Sequence, residues 1–184
     1  MRIEITGASG MLGSALVDQL SNSYKIFATS RSKGTEGKNI EWECFDLTDI
    51  TLLNEWLNNN KPDIIINCAA IARMKDCEKK KINAFNINVI GTLNIVKSVY
   101  KINRDIKIVH ISSDAVYPSK KGNYKEKSKL DSYNFYGFTK ILSEKVILNL
   151  KNYMIIRTRF FDKKKIPFTH SATDSFSSSI EINK

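Results

Sequence analysis

The chain has 184 residues, of which 42% are hydrophobic and three are prolines, a size that allows one sizeable core but not two complete ones. Its formal net charge is +10, but the lysines lie in short runs outside any nucleic-acid-binding motif, so we interpret the charge as a solvated basic surface that favours anionic small molecules over nucleic acid. No stretch resembles a signal peptide or a membrane span, and the three cysteines lack zinc-site spacing, so the sequence predicts a cytoplasmic protein with reduced thiols, no membrane partner and no metal.

In chain order, short apolar runs alternate with amphipathic segments. Strands are predicted over "RIEIT", "YKIFATS", "IEWECF", "PDIIINCAA", "IKIVHISS" and "YMIIRT". Helices are predicted over "MLGSALVDQLSN", "ITLLNEWLNNN", "AFNINVIGTLNIVKSVYKIN" and "YNFYGFTKILSEKVILNL". This alternation indicates an α/β fold with a doubly wound parallel sheet over residues 1–160. Residues 161–184 are rich in Ser, Lys and Thr without a period, and we predict an irregular polar tail there.

Three glycines follow the first predicted strand in "RIEITGASGMLGSAL". A strand-to-helix turn of this kind lets a dinucleotide's pyrophosphate approach the N-terminus of the first helix, where free N–H groups and the helix dipole favour negative charge. The alternative is that the glycines merely form a turn. We assign cofactor binding in a Rossmann-like domain to Gly7, Gly10, Met11, Leu12 and Gly13.

The end of the second predicted strand bears on the choice of cofactor. An acidic residue there would hold a ribose 2′-hydroxyl, but "ATSRSK" contains no carboxylate. Arg31 could instead pair with a 2′-phosphate through its planar guanidinium. The sequence therefore favours NADP(H), with NAD(H) as the second choice, and the alternative for Arg31 is an exposed loop residue.

Two further groups of residues carry chemistry. In "YGFTK", Tyr136 and Lys140 are four residues apart and share one helical face, so a lysine cation could stabilise the phenolate and lower the pKa of Tyr136. In "HISSDAVY", Ser113 ends a predicted central strand, where a hydroxyl can contact a reacting carbonyl. Taken singly, the pair could be an ordinary helix-surface contact and the serine could simply close a turn.

Together the segments "TGASGMLG", "FDLTD", "NCAA", "NVIGTLN", "HISSDAVY", "YGFTK" and "IIRT" resemble the extended short-chain dehydrogenase/reductase family, over about residues 1–160. "SSDAVY" followed by "GNYKEKSKLDSYNFYGFTK" is similar to its dTDP-4-dehydrorhamnose reductase branch. The resemblance implies that Tyr136 is the general acid for carbonyl reduction, that Lys140 lowers its pKa and binds the nicotinamide ribose, and that Ser113 positions the carbonyl.

The same resemblance implies the remaining site residues. Asp46 and Leu47 would contact the adenine end of the cofactor, and Asn88 would belong to the catalytic group, with helix packing as its alternative. The segment after "NCA" would line the cofactor path: Ala69, Ala70 and Ile71.

The resemblance is incomplete at the substrate side. Family members continue past "RT" into a region that closes over the sugar nucleotide, so we expect this chain to lack most of that region. Three hypotheses follow. The chain is an NAD(P)-dependent reductase of a nucleotide-linked 4-keto sugar, its pocket completed by a homo-oligomer or a partner chain. It is a non-catalytic nucleotide-binding regulatory module. It is a truncated, inactive family member.

Overall fold

Six parallel strands form one sheet in the computed structural model, which describes residues 1–102, 105–119 and 122–159. The strands are Arg2–Thr6 (β1), Lys25–Ser30 (β2), Ile40–Cys44 (β3), Ile64–Asn67 (β4), Lys107–Ser113 (β5) and Tyr153–Thr158 (β6). The helices are Met11–Leu20 (α1), Ile50–Asn60 (α2), Met74–Lys79 (α3), Lys81–Phe85 (α4), Gly91–Ile102 (α5) and Phe135–Ile147 (α6). The predicted tail over 161–184 lies outside the described residues.

The strand order is β3-β2-β1-β4-β5-β6, and every neighbouring pair is parallel. The predicted doubly wound fold is therefore confirmed. The chain reverses direction across the sheet between β1 and β4, where Thr6 pairs with Asn67. Ligands of such sheets bind at this switch point, outside the carboxyl ends of the strands.

Two apolar clusters hold the helices on the sheet. One contains Val17 of α1 with Ile3, Ile5 and Ile26 of β1 and β2. The second packs α2, α5 and α6 against the sheet, mainly through buried aliphatic side chains. Its main members are Leu53, Leu57, Ile65, Ile95, Val99, Ile108 and Ile147. Burial of this area is the main favourable contribution to folding, and it fixes the carboxyl edge of the sheet as a rigid base for the loops.

One predicted helix is interrupted. The sequence predicts continuous helix over "AFNINVIGTLNIVKSVYKIN", and this is wrong over Asn86–Ile90, which forms a π-helical turn between α4 and α5. The N–H of Gly91 bonds the carbonyl oxygen of Asn86, five residues back, and Thr92 Oγ1 bonds that of Asn88 at 2.8 Å. Such turns are frequent at functional sites. This one carries Asn88 into the interior.

Within the described residues, no helix is long and apolar enough to cross a membrane. The three cysteines are free, and burial raises the pKa of the Cys68 thiol to about 12 and that of Cys77 to about 11. Both thiols therefore stay protonated and unreactive at neutral pH.

Candidate active site

The glycine-rich turn lies at the switch point because backbones approach too closely there for side chains. Gly7 has φ +66°, and a Cβ on it would lie 2.7 Å from the main-chain nitrogen of Ala69, just after β4. A Cβ on Gly13 would overlap the carbonyl oxygen of Gly7. Gly7 thus lets the turn pack against the residues after β4, and Gly13 lets α1 pack against the turn.

The N-terminus of α1 is open to an anion. Gly10 is its N-cap and provides no side-chain acceptor, and the first turn contains no acidic residue. The main-chain N–H groups of Met11, Leu12 and Gly13 begin the helix, where N–H groups have no partner within the helix. This arrangement fits a pyrophosphate, because the N–H groups and the helix dipole attract negative charge and no carboxylate opposes it.

The loop after β2 touches the glycine-rich turn. Ser32 Oγ donates to Ser9 Oγ at 3.1 Å, and Arg31 is exposed between that contact and the end of β2. In the loop after β3, Asp46 Oδ1 accepts bonds from the N–H and hydroxyl of Thr48 at 2.9 and 2.8 Å. Leu47 is only 7% exposed and packs in the core, so Asp46 is the more accessible of that pair.

The segment after β4 is held by Asn88. Its Oδ1 accepts from the Ile71 N–H at 2.8 Å, and its Nδ2 donates to the Ile71 carbonyl at 3.1 Å and to Thr139 Oγ1 at 2.9 Å. Every polar atom of the Asn88 side chain is thus engaged with the segment that includes Ala69, Ala70 and Ile71 and with α6. This arrangement agrees with the packing alternative for Asn88, because its side chain links the segment after β4 to α6.

Tyr136 and Ser113 meet at the carboxyl edge of β5. The Ser113 hydroxyl is near enough to the Tyr136 phenol to lower its pKa by hydrogen bonding, and Ser113 Oγ bonds Asp114 Oδ1 at 3.1 Å. The approach requires Gly137, since a Cβ there would overlap the carbonyl oxygen of Ala115. The glycine in "YGFTK" therefore lets the first turn of α6 sit against the residues that follow Ser113.

Burial raises the pKa of Tyr136 above its usual value, against the lowering effect of the Ser113 hydrogen bond. That Lys140 lowers this pKa stays a prediction, since its charge is not among the causes of the shift. The Lys140 Nζ contacts His110 Nε2 at 3.2 Å instead. Burial lowers the pKa of Lys140 to about 8, opposed by the charge of Glu144. The phenol remains protonated at neutral pH, the state that a proton donor needs.

Sequence reasoning missed the polar residues beneath this site. His110 is fully buried on β5, and Glu144 of α6 forms a bidentate pair with Arg157 of β6, at 2.9 Å to Nε and 2.7 Å to Nη2. Arg157 also donates to Tyr117 Oη and to the Glu126 carbonyl, both at 2.8 Å, which anchors the loop after β5. A histidine within the apolar run "KIVHISS" was the available sequence signal.

A glycine-rich turn at the switch point and a Tyr–Lys pair beside a strand-end serine define a Rossmann-fold protein of the short-chain dehydrogenase/reductase class. The chain belongs to the family whose model is described as RmlD substrate binding domain, which matches residues 1–175.

Among curated relatives, the dTDP-4-dehydrorhamnose reductase of Mycolicibacterium smegmatis is 30% identical over 161 residues, covering 85% of this chain and 45% of that protein. The methionine adenosyltransferase 2 subunit beta of Xenopus laevis is 30% identical over 148 residues, covering 80% of this chain and 42% of that protein. The chain spans about half the length of the curated relatives it matches.

Solved structures give the same picture. A hypothetical dTDP-4-dehydrorhamnose reductase from Sulfolobus tokodaii is 37% identical with a TM-score of 0.75, covering 85% of this chain and 55% of that one. MoeE5 in complex with UDP-glucose and NAD is 25% identical with a TM-score of 0.74, covering 81% of this chain and 48% of that one. MoeE5, a protein of this architecture, thus binds NAD and UDP-glucose.

Proposed function

We propose that the chain is the cofactor-binding and proton-donating part of an NADP(H)-dependent reductase of a nucleotide-linked 4-keto sugar. The observation that carries the proposal is the half-buried Tyr136 phenol beside the Ser113 hydroxyl, which lowers its pKa, on the same sheet edge as an uncapped glycine-rich helix N-terminus. Similarity to reductases of dTDP-4-dehydrorhamnose supports the substrate class.

Gly10 and the first N–H groups of α1 would hold the pyrophosphate, and Asp46 would contact the adenosine. The bound nicotinamide would supply the hydride for reduction of a ketone. Tyr136 would donate its phenolic proton to the carbonyl oxygen as negative charge develops there, and Ser113 would hold that oxygen by a hydrogen bond. Lys140, one helical turn away, would contact the nicotinamide ribose.

The proposal is tested by titrating the purified chain with NADPH and NADH and then adding a dTDP-4-keto-6-deoxy sugar. We expect NADPH to bind and its absorbance to fall after the sugar nucleotide is added. Failure to bind either cofactor would contradict the whole proposal. If NADPH binds but is not oxidised in the presence of the keto sugar, the reductase activity would be contradicted, whereas the cofactor site would still be supported.

Cofactor preference depends on Arg31. We expect Arg31→Ala to weaken NADPH binding by about tenfold, because an exposed guanidinium bonded to a phosphate contributes on the order of 1 kcal/mol, and to leave NADH binding nearly unchanged. Fluorescence titration of both nucleotides measures the effect. Lys38→Ala, an exposed cation on the same loop, serves as the matched control. An equal loss of affinity for NADPH and NADH would contradict a contact between Arg31 and the 2′-phosphate.

The second candidate is a non-catalytic nucleotide-binding module. It is favoured by the 30% identity to a subunit of methionine adenosyltransferase. Val109 and Ile111 of β5 and Met154 and Ile156 of β6 lie only half-buried on one sheet face, which a homo-oligomer or a partner chain would cover. In this case the titration gives cofactor binding, and no keto sugar nucleotide causes oxidation.

A further inference from the structure

Lys140 carries the most deeply buried amine of the site. The residue is 2% exposed, and within the described part of the chain its Nζ has one hydrogen-bond contact, with His110 Nε2 at 3.2 Å. A buried ammonium needs acceptors for its three protons. Whether His110 is such an acceptor depends on which ring nitrogen carries its proton, and the surrounding hydrogen bonds decide this.

A series of hydrogen bonds determines whether Nδ1 of His110 carries a proton. Thr92 Oγ1 donates to the Asn88 carbonyl, which can only accept. The Asn67 atom 3.2 Å from Thr92 Oγ1 must therefore be the amide nitrogen, and Thr6 Oγ1 donates to the amide oxygen at 2.7 Å. The same Asn67 nitrogen lies 3.2 Å from His110 Nδ1 and directs its second N–H to it. Nδ1 thus accepts and carries no proton.

The Nε2 side gives the same answer independently. Ser143 Oγ donates its proton to the Lys140 carbonyl at 2.9 Å, so it can only accept from His110 Nε2, which lies 3.0 Å away. His110 is therefore a neutral imidazole with its proton on Nε2. Burial and the nearby Lys140 charge both hold the pKa of His110 well below its ordinary value, in agreement with a neutral ring.

Lys140 thus faces an N–H and not a lone pair. Because the Nε2–H is already bonded to Ser143 Oγ, a charged amine finds no acceptor in this contact, whereas a neutral amine needs none there. The other ionisable groups near Nζ are Cys68, after β4, and Glu144, one turn further along α6. Glu144 is held by Ser112 and Arg157, so its oxygens are already engaged. Burial lowers the pKa of Lys140, and the charges of Glu144 and Cys68 oppose this lowering.

We propose that His110 is a positioning residue for Lys140: its protonated Nε2 offers the amine no acceptor and disfavours the ammonium until the vicinal hydroxyls of a bound ribose supply acceptors. The identity of that ligand rests on the proposed function, but the hydrogen-bond arrangement does not. Binding of a nucleotide above about pH 8 would then be accompanied by proton uptake at Lys140.

The tautomer can be measured without any ligand. The chain has two histidines, and ¹⁵N-histidine labelling with His170→Gln as the assignment variant isolates His110 in long-range ¹H–¹⁵N spectra. We expect the proton on Nε2 from about pH 6 to about pH 9. A proton on Nδ1, or an imidazolium at neutral pH, would overturn the proposal.

The effect on Lys140 is measured with ¹³Cε-lysine labelling, and Lys140→Met identifies its signal. His110→Gln offers an amide oxygen to Nζ while its nitrogen serves Ser143, so the titration midpoint of Lys140 should rise by about one pH unit or more. Ser98→Ala, a buried hydroxyl change on α5, controls for general loosening of the core and should leave the midpoint unchanged. An unchanged midpoint in His110→Gln would mean that His110 only fills space.

Calorimetry separates this inference from the proposed function. NADPH binding near pH 8.5, compared in two buffers of different ionisation enthalpy, should show proton uptake that falls in His110→Gln. Absence of NADPH binding would contradict the cofactor assignment, and the tautomer and midpoint would still decide the role of His110. NADPH binding without proton uptake would overturn the role of His110 in ligand binding.

Discussion

Tyr136→Phe is expected to lower the rate of NADPH oxidation with a dTDP-4-keto-6-deoxy sugar by about 10²- to 10⁴-fold, the range that a positioned proton donor contributes. The substitution removes one oxygen and retains the ring, and the Ser113 hydroxyl keeps its contacts with Asp114 and the Ala115 N–H. The dissociation constant for NADPH should therefore stay within about threefold. Stopped-flow absorbance and fluorescence titration give the two quantities.

Tyr133→Phe is the matched control, because Tyr133 lies three residues earlier and is 57% exposed. Its oxidation rate should equal that of the unaltered chain. Turnover by Tyr136→Phe at the unaltered rate would contradict the assignment of Tyr136 as the proton donor. A loss of NADPH affinity parallel to the loss of rate would make Tyr136 a binding residue instead.

The sheet was predictable because its determinants are local. Apolar runs such as "KIVHISS" and the glycines of "TGASGMLG" specify strands and a tight turn without reference to distant residues. The parallel order then follows from right-handed crossovers. The π-helical turn at Asn86–Ile90 was not predictable in this way, because the amphipathic pattern continues through it. Asn88 requires that turn to reach the Ile71 main chain, and this contact exists only in the folded chain.

For the site, the sequence supplied the residue types but not the direction of their side chains. Four-residue spacing places Tyr136 and Lys140 on one helical face. The amine nevertheless contacts His110, because α6 packs on β5 through that face and buries Nζ among the polar side chains of the strand. Electrostatics at buried groups depends on tertiary neighbours, so the spacing could not show that burial raises the pKa of Tyr136. Gly137 is a second example, because a glycine is required there only by the Ala115 carbonyl oxygen, which comes close in the folded chain.

The largest stability effect is expected at Glu4, a carboxyl on β1 that is 0% exposed. Thr29 Oγ1 contacts its Oε1 and Trp56 Nε1 donates to its Oε2, both at 2.7 Å. Burial raises its pKa from 4.5 to about 8, despite the lowering effect of both hydrogen bonds. The folded chain therefore keeps a proton that the unfolded chain releases near pH 4.5.

Because the folded-state pKa is the higher one, this group lowers the free energy of unfolding as pH rises from about 4.5 to about 8, by about 1.4 kcal/mol per pH unit. Glu4→Gln reproduces the uncharged state of the protonated carboxyl: its oxygen accepts from Trp56 Nε1, and its nitrogen donates to Thr29 Oγ1 once that hydroxyl, which donates to Glu4 in the unaltered chain, turns its proton away. We expect equal stability of the two chains near pH 4 and an advantage of about 4 kcal/mol for Glu4→Gln near pH 8. Urea unfolding across this pH range measures both.

Glu55→Gln, an exposed carboxyl on α2, is the control and should follow the unaltered chain at every pH. Taking the difference between chains cancels the titration of all other groups, including Lys140. A constant difference between Glu4→Gln and the unaltered chain would mean that Glu4 is ionised in the folded state. Its two hydrogen bonds would then outweigh the cost of burying the charge, and the shift in its pKa would have the opposite sign.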